Sequence, residues 1–196
     1  MTDRDESGLG QAEWAVLALL AERPAHGWAL GSLLEPKGEI GQVWSGDRQR
    51  IYRALRTLDG LGLIEPAALE AGGGPYRTIY RTTRQGRAQL AKWLSEPVDR
   101  VREIHTNFIL KLVFSQRAGL DATPLLNEQR ALLTSTVASL NQKLAGLGPN
   151  EKPHLRLRLY TTQAVIDFID EWSNGIAVAS SRPAARRRKR QASSSA

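Results

Sequence analysis

Six polar side chains between residues 48 and 56 form a dense cluster of hydrogen-bonding groups. They are Arg48, Gln49, Arg50, Tyr52, Arg53 and Arg56. In an α-helix, at about 100° per residue, these side chains lie on and beside one face. Guanidinium groups donate paired hydrogen bonds to phosphates and to guanine edges, and amide and phenol groups add further contacts. The cluster therefore predicts a surface that contacts double-stranded DNA.

The opposite face of the same helix is apolar. Five residues recur at the spacing of a single helical stripe facing a core: Ile51, Ala54, Leu55, Leu58 and Leu61. The alternative is a solvated amphipathic helix with no ligand, because arginine is a good helix former. Such a helix usually interleaves opposite charges, whereas Asp59, at the far end, is the one acid within helical reach after these arginines.

The flanking segments predict how this helix is held. Residues 11–22 form an almost wholly apolar helix, and a second helix lies between Pro24 and Pro36. A short connector precedes the cationic helix, for which either Ser45 or Asp47 is a suitable N-cap. Three helices separated by short turns, the third of them cationic, are typical of a helix-turn-helix.

A β-hairpin is predicted directly after the cationic helix. Residues 63–65 begin one strand, residues 71–75 form a glycine-rich turn, and residues 76–82 alternate and are rich in β-formers. Arg77 and Arg81 lie on the second strand, so this small two-stranded wing is expected to follow a phosphate backbone or enter a minor groove. A further helix starts at Thr82 or Thr83 and ends before Pro97.

The rest of the chain has a helical pattern. Residues 101–114, 124–147 and 155–178 contain apolar positions that need more partners than one chain offers, so we expect a homodimer. The fold class is therefore mainly α: an N-terminal winged helix-turn-helix with a small two-stranded wing, plus a C-terminal helical dimerisation domain. The expected division is a flexible arm (1–10), the DNA-binding domain (11–96), the dimerisation domain (97–180) and a disordered basic tail (181–196).

Composition excludes several classes of function. The 196 residues include no cysteine, which excludes disulfides, thiolate zinc sites and cysteine nucleophiles. His26, His105 and His154 are scattered without metal-ligand spacing, and each is expected to be a turn or surface residue. We therefore expect no catalytic residues, no metal, no cofactor and no enzyme. No apolar run approaches a membrane span, and the polar N-terminus does not resemble a signal peptide, which predicts a cytoplasmic protein without a membrane partner.

Net charge and tryptophan content add two expectations. Most of the net charge of +7 comes from six basic residues in the segment 182–196, which has no acids. DNA binding by the rest of the chain must therefore come from local clustering of basic residues.

Trp93 is a candidate for contact with an aromatic effector, because it lies where the two predicted domains meet. The alternative is that Trp93, like the other four tryptophans, anchors a core or an interface.

Several separated motifs resemble the PadR family of bacterial transcriptional regulators. They are IYRALRTLDGLGLIE, the wing exit YRTIYRTTRQGRAQLAKWL, PAHGWALGSLL, and the start of the helical domain, EPVDRVREIHTNFILKLVF. The resemblance spans about residues 11–175. It implies that Tyr52 and its arginine neighbours meet DNA, that Gly72 to Arg81 is the wing, and that the C-terminal helices form the dimer.

The function that this resemblance implies is sequence-specific regulation of transcription. We expect a repressor that binds a pseudo-palindromic operator as a homodimer and is released by a small apolar or aromatic effector. The alternative is a winged-helix protein that binds DNA without sequence preference, in an architectural role, or that uses its third helix on a protein partner.

Overall fold

The computed structural model describes residues 8–72, 74–148 and 150–180, with side chains described for all but residues 72, 74, 75 and 176–180. Two compact units make up the chain, the first ending at Leu125 and the second beginning at Leu126. The predicted tail, residues 181–196, and the first seven residues of the predicted arm lie outside the described residues. Across the described part of the chain, no helix combines the length and the hydropathy that a membrane span requires.

The first unit contains short helices around a small antiparallel sheet. In chain order its elements are α1 (Gln11–Glu22), β1 (Ala25–His26), α2 (Gly27–Leu34), α3 (Arg48–Gly60), β2 (Ile64–Gly72), β3 (Gly74–Thr82), α4 (Arg84–Ser95), α5 (Val101–Glu103), a π-helical turn (Ile104–Phe108) and α6 (Ile109–Arg117). The predicted fold class, mainly helical with a winged helix-turn-helix, is confirmed.

Helix α1 is the centre of the first unit. Seven consecutive residues, from Trp14 to Leu20, are buried, so this helix has no solvent-facing side over two turns. It contacts α3, α4 and β3, and its side chains join theirs in one apolar core. Leu9, within the predicted arm, is also buried in this core at 1% exposure, so the packed chain begins before α1.

The sheet has three strands in the order β1-β3-β2, and the prediction of two strands was therefore incomplete. The added strand is the two-residue pairing of Ala25 with Tyr80 and of His26 with Ile79. A two-residue strand leaves no period-2 pattern in a sequence, because its pairing is fixed by tertiary contact alone. Pairing of β2 with β3 extends to Gly72 opposite Gly74, so the expected glycine turn is much shorter than residues 71–75.

The turn at the end of α3 determines where the buried apolar stripe of this helix stops. The Leu63 N–H donates to the Leu58 carbonyl and the Gly62 N–H to the Asp59 carbonyl, both at 2.9 Å, with Gly62 in the left-handed region (φ +67°). This is a Schellman motif, and the residues at its two ends, Leu58 and Leu63, are both buried. Leu61 is 50% exposed, so its assignment to the stripe was wrong and the buried stripe ends at Leu58.

The helices after Pro97 begin within the first unit. Arg117, at the end of α6, donates two hydrogen bonds of 2.6 Å to Glu22 of α1 and lies 2.9 Å from Glu39. Leu110 and Phe114 are part of the α1 core. The predicted helix over residues 101–114 is interrupted by the π-helical turn, and the first compact unit continues beyond the expected boundary at residue 96.

The second unit contains most of α7 (Thr123–Leu144) and all of α8 (Pro153–Ser180). Arg130 on α7 donates to both carboxylate oxygens of Asp170 on α8, at 2.6 and 3.1 Å. Hydrogen bonding from Arg130 lowers the pKa of Asp170 below its ordinary value. Arg156, in the first turn of α8, donates to three carbonyls of the segment between α7 and α8: Leu147, Gly148 and Glu151. Both long helices agree with the predicted helical pattern of this region.

Gly86 is the position where the wing exit tolerates no side chain. A Cβ at Gly86 would lie 2.0 Å from the Leu63 carbonyl oxygen, which already accepts a hydrogen bond from the Thr83 N–H. We expect Gly86→Ala to lower the free energy of unfolding by about 1–3 kcal/mol, because the backbone must shift. Urea denaturation followed by circular dichroism measures this loss.

Gly60→Ala is the matched control for that substitution. Gly60 is helical, and a Cβ there meets no heavy atom within 4 Å. The control should gain about 0.5–1 kcal/mol from helix propensity. Equal free energies of unfolding for Gly86→Ala and Gly60→Ala would contradict the close approach of Gly86 to the Leu63 carbonyl.

Candidate nucleic-acid interface

Helix α3 separates a buried stripe from an exposed cationic face. Ile51, Ala54 and Leu58 are fully buried, and each buried Leu or Ile side chain contributes about 1.5–3 kcal/mol to holding the helix. The predicted DNA-contacting residues on this helix are all exposed: Arg48, Gln49, Arg50, Tyr52, Arg53 and Arg56. The arrangement leaves the guanidinium groups free to meet an external anion while the helix axis stays fixed from behind.

Asp47 is the N-cap of α3. Its Oδ1 accepts a hydrogen bond of 2.8 Å from the Arg50 N–H, which settles the choice between Ser45 and Asp47. Asp47 Oδ2 also lies 4.0 Å from Arg50 Nε, so one of the four arginines has an acidic neighbour on its N-terminal side. Both side chains are more than half exposed, so this ion pair is worth at most about 1 kcal/mol. Arg50 can therefore exchange Asp47 for a phosphate at little cost.

Tyr52 is held by the start of α2. A Cβ at Gly27 would lie 2.7 Å from Cε1 of Tyr52, so the phenol ring lies directly against this glycine. The side chain of Tyr52 is nevertheless 45% exposed. The ring therefore has one face on α2 and a second side accessible to a ligand.

The two predicted wing arginines have different surroundings. Arg81 Nε donates to Glu65 Oε1 at 2.7 Å, which offsets its charge locally. Arg77 lies instead over the indole of Trp28, with its Cζ 5.5 Å from the ring centroid. The Trp28 side chain is 47% exposed, so this tryptophan is not a core anchor. Of the two arginines, Arg77 keeps more of its charge available to DNA.

His26, expected to be a turn or surface residue, is the N-cap of α2 and is only partly exposed. Its Nδ1 accepts a hydrogen bond of 3.1 Å from the Ala29 N–H, so the neutral ring carries its proton on Nε2. Nε2 lies 3.2 Å from Glu70 Oε2 on β2. Nothing in the sequence pattern indicated this link between α2 and the wing, because the two residues are 44 positions apart and meet only in the folded chain.

Trp93 lies in the core of the first unit. It is 5% exposed and stacks on Trp14 with ring centroids 4.8 Å apart and an interplanar angle of 9°. The Nζ of Lys111 lies 5.1 Å from the Trp93 ring centroid. An effector at Trp93 would have to displace one of these two neighbours.

A cleft of about 270 Å³ lies between the end of α1, helix α2 and the wing. Its lining includes Leu19, Leu33, His26 and Glu70, and does not include Trp93. Within the described ranges, no group of three or more histidine, aspartate or glutamate side chains is placed to hold a metal ion.

Part of the chain is similar to a known protein family. Residues 16–92 match the model of the transcriptional regulator PadR-like family. A "probable transcriptional regulator" of Mycobacterium tuberculosis is 31% identical over 88 residues, which cover 45% of this chain and 46% of that protein. The chain thus spans about half the length of that relative.

PadR of Bacillus subtilis matches both as a sequence and as a solved structure. The negative transcriptional regulator PadR is 27% identical over 142 residues, covering 70% of this chain and 77% of that protein. The crystal structure of B. subtilis PadR in complex with operator DNA matches 81% of this chain and 94% of that chain, at 24% identity and a TM-score of 0.43.

The cap at Asp47 gives a test of how α3 is built. Asp47→Ala should lower the free energy of unfolding by about 1 kcal/mol, because the Arg50 N–H loses its acceptor. Asp47→Asn keeps an acceptor oxygen and removes the charge, so its stability should stay within about 0.5 kcal/mol of the original chain. If urea titrations show the same loss for both, the charge and not the cap hydrogen bond stabilises the helix.

Proposed function

We propose that the chain is a transcriptional regulator of the PadR type and a sequence-specific repressor. The match of residues 16–92 to the PadR-like family model supports this proposal. It binds as a homodimer to a pseudo-palindromic operator. One α3 helix enters the major groove of each half-site, and the half-sites lie about one helical turn, ~34 Å, or a multiple of it, apart.

The observation that carries this proposal is the exposed face of α3. Arg50 and Arg53 have the donors that read guanine or bind phosphate, and Tyr52 has a hydroxyl suited to a phosphate oxygen. Arg48, Gln49 and Arg56 extend the same face, and Arg77 and Arg81 add the wing. The buried stripe fixes the backbone of α3 against the core. This supports base reading, because recognition requires side chains on a helix whose position is fixed.

Repression is the direction that the B. subtilis relative supports, since that protein is a negative regulator. Release by a small apolar or aromatic effector remains part of the proposal. Trp93 stays the predicted effector contact, and a ligand there would have to open the stack with Trp14 or displace Lys111.

The proposed homodimer uses the helices after residue 97. On α8, Leu157 and Tyr160 are each 66% exposed and three positions apart, so they lie on one face of the helix. Trp172, further along the same helix, is 36% exposed. Large apolar side chains grouped on an exposed helix are typical of a surface that a second copy covers.

Loss of the α3 side chains tests DNA recognition. The triple variant Arg50→Ala, Tyr52→Ala, Arg53→Ala should bind the DNA upstream of its own gene at least a hundredfold more weakly, at about 1–3 kcal/mol per base-reading arginine. Fluorescence anisotropy at about 150 mM salt measures this, because that salt concentration partly screens non-specific attraction. Arg158→Ala, which removes one positive charge from α8, is the control and should bind normally.

Deletion of residues 182–196 separates the repressor from the non-specific alternative. A sequence reader should keep its preference for the upstream duplex over a scrambled duplex, whereas an architectural protein should lose most of its affinity for both. Unchanged binding by the triple α3 variant would refute the proposed interface.

The dimer has its own test. Sedimentation of the original chain at micromolar concentration should give a dimer, and Leu157→Asp with Tyr160→Asp should give a monomer, because two charges would enter the apolar contact. Arg158→Asp, at an exposed position on a different face of α8, measures the effect of an added negative charge away from that contact. A monomeric original chain would contradict the proposal.

A further inference from the structure

Four residues connect the start of α2 to both strands of the wing: His26, Trp28, Glu70 and Arg77. We call them the wing anchor. We propose that Trp28 is a positioning residue for DNA binding, which holds the Arg77 guanidinium ready for a phosphate, with His26 and Glu70 fixing the strands beneath it. This inference rests on the proposed function.

Backbone pairing brings the wing to α2. His26 is opposite Ile79 on β3, so the first turn of α2 is attached to the wing through β1. On the other side of β3, Glu70 of β2 is directly opposite Arg77. Directly opposite residues in an antiparallel pair project from the same face of the sheet. Glu70 and Arg77 therefore share the face that meets the start of α2.

Two side-chain contacts complete the wing anchor. Glu70 Oε2 lies 3.2 Å from His26 Nε2, while His26 Nδ1 caps α2. Arg77 lies over Trp28, whose ring centroid is 6.3 Å from that of His26. Each strand of the hairpin thus has one contact to α2, so the wing is restrained on both edges.

The exposure of Trp28 is the observation that needs a role. An indole that is 47% exposed adds little to the core, although the neighbouring Leu30 on the same helix is fully buried. Stacking on an aromatic face restrains a guanidinium without using its N–H donors, which lie in the guanidinium plane. Arg77 is therefore oriented but still able to donate to a phosphate.

The charge balance of the wing supports Arg77 as the group that is positioned. Its neighbour on the same strand, Arg81, is hydrogen-bonded to Glu65. Glu70, the acid nearest to Arg77 in the ladder, is directed to His26. For the described residues, the structure shows no salt bridge to Arg77, so its charge remains available to an external anion.

Substitution of Trp28 by Leu and by Phe tests this role. Trp28→Leu keeps apolar volume without an aromatic face, and should weaken DNA binding about three- to tenfold, the factor for restraining one flexible side chain on binding. Trp28→Phe keeps an aromatic face and should stay within about twofold. Both variants should keep the original melting temperature within a few degrees, because the side chain is half exposed.

The effect must act through Arg77. Arg77→Ala should reduce the slope of log affinity against log salt by about 0.9 per subunit, the value for one lost phosphate contact. Adding Trp28→Leu to Arg77→Ala should change affinity by less than about twofold, because the positioned group is already absent. The slope is measured on the upstream duplex and on a scrambled duplex, since phosphate contacts do not depend on sequence.

Three results would overturn the inference. The first is original affinity for Trp28→Leu, and the second is the same loss from Trp28→Leu with and without Arg77. The third is an unchanged salt slope for Arg77→Ala. In each case, weak binding by the triple α3 variant in the same assay shows that the proposed function survives. Unchanged binding by that triple variant would instead refute the proposed function itself.

Discussion

The first unit depends on the complete burial of α1. Because every side chain from Trp14 to Leu20 is enclosed, α1 cannot exist as a folded helix without partners on all sides. Those partners are α3, α4 and β3, the elements that carry or support the candidate DNA-binding face. The orientation of α3 is therefore set by apolar packing, and its arginines contribute charge without having to contribute to the fold.

Three exposed residues of the candidate interface are restrained by a neighbour. Asp47 caps the helix at Arg50, Gly27 supports the ring of Tyr52, and Trp28 lies against Arg77. None of these contacts is strong, since all three involve exposed or half-exposed groups. They restrict the side chains before a ligand arrives, and a restricted side chain loses less conformational entropy on binding.

Periodicity was sufficient to predict the elements, and tertiary contacts account for what it missed. The stripe from Ile51 to Leu58 and the alternation in β3 follow from spacing, so α3 and β3 were predicted close to their observed bounds. Strand β2 instead continues to Gly72, into the expected turn. Leu61 and Trp28 are apolar residues of the kind usually found in a core, yet both are exposed. Their burial depends on which other elements pack against them, and the local sequence does not specify this. The π-helical turn within the predicted helix at 101–114 likewise has no signature in apolar spacing.

In the candidate site, too, spacing predicts some features and only tertiary contacts determine the others. Exposure of the six polar residues on α3 follows from the helix pattern, whereas the pairing of Arg81 with Glu65 and of His26 with Glu70 does not. Such pairs join residues far apart in sequence, and hydrophobic periodicity carries no information about them. The different surroundings of Arg77 and Arg81, two arginines on one strand, became visible only from the fold.

The contact between Gly27 and Tyr52 has a consequence for how related sequences can diverge. A side chain at position 27 has no room while an aromatic ring occupies position 52, since a Cβ on residue 27 would lie 2.7 Å from that ring. Replacement of the glycine requires the Tyr52 ring to shift or a smaller residue to stand at position 52. The first residue of α2 and a residue on the candidate DNA-binding face of α3 therefore constrain each other's size.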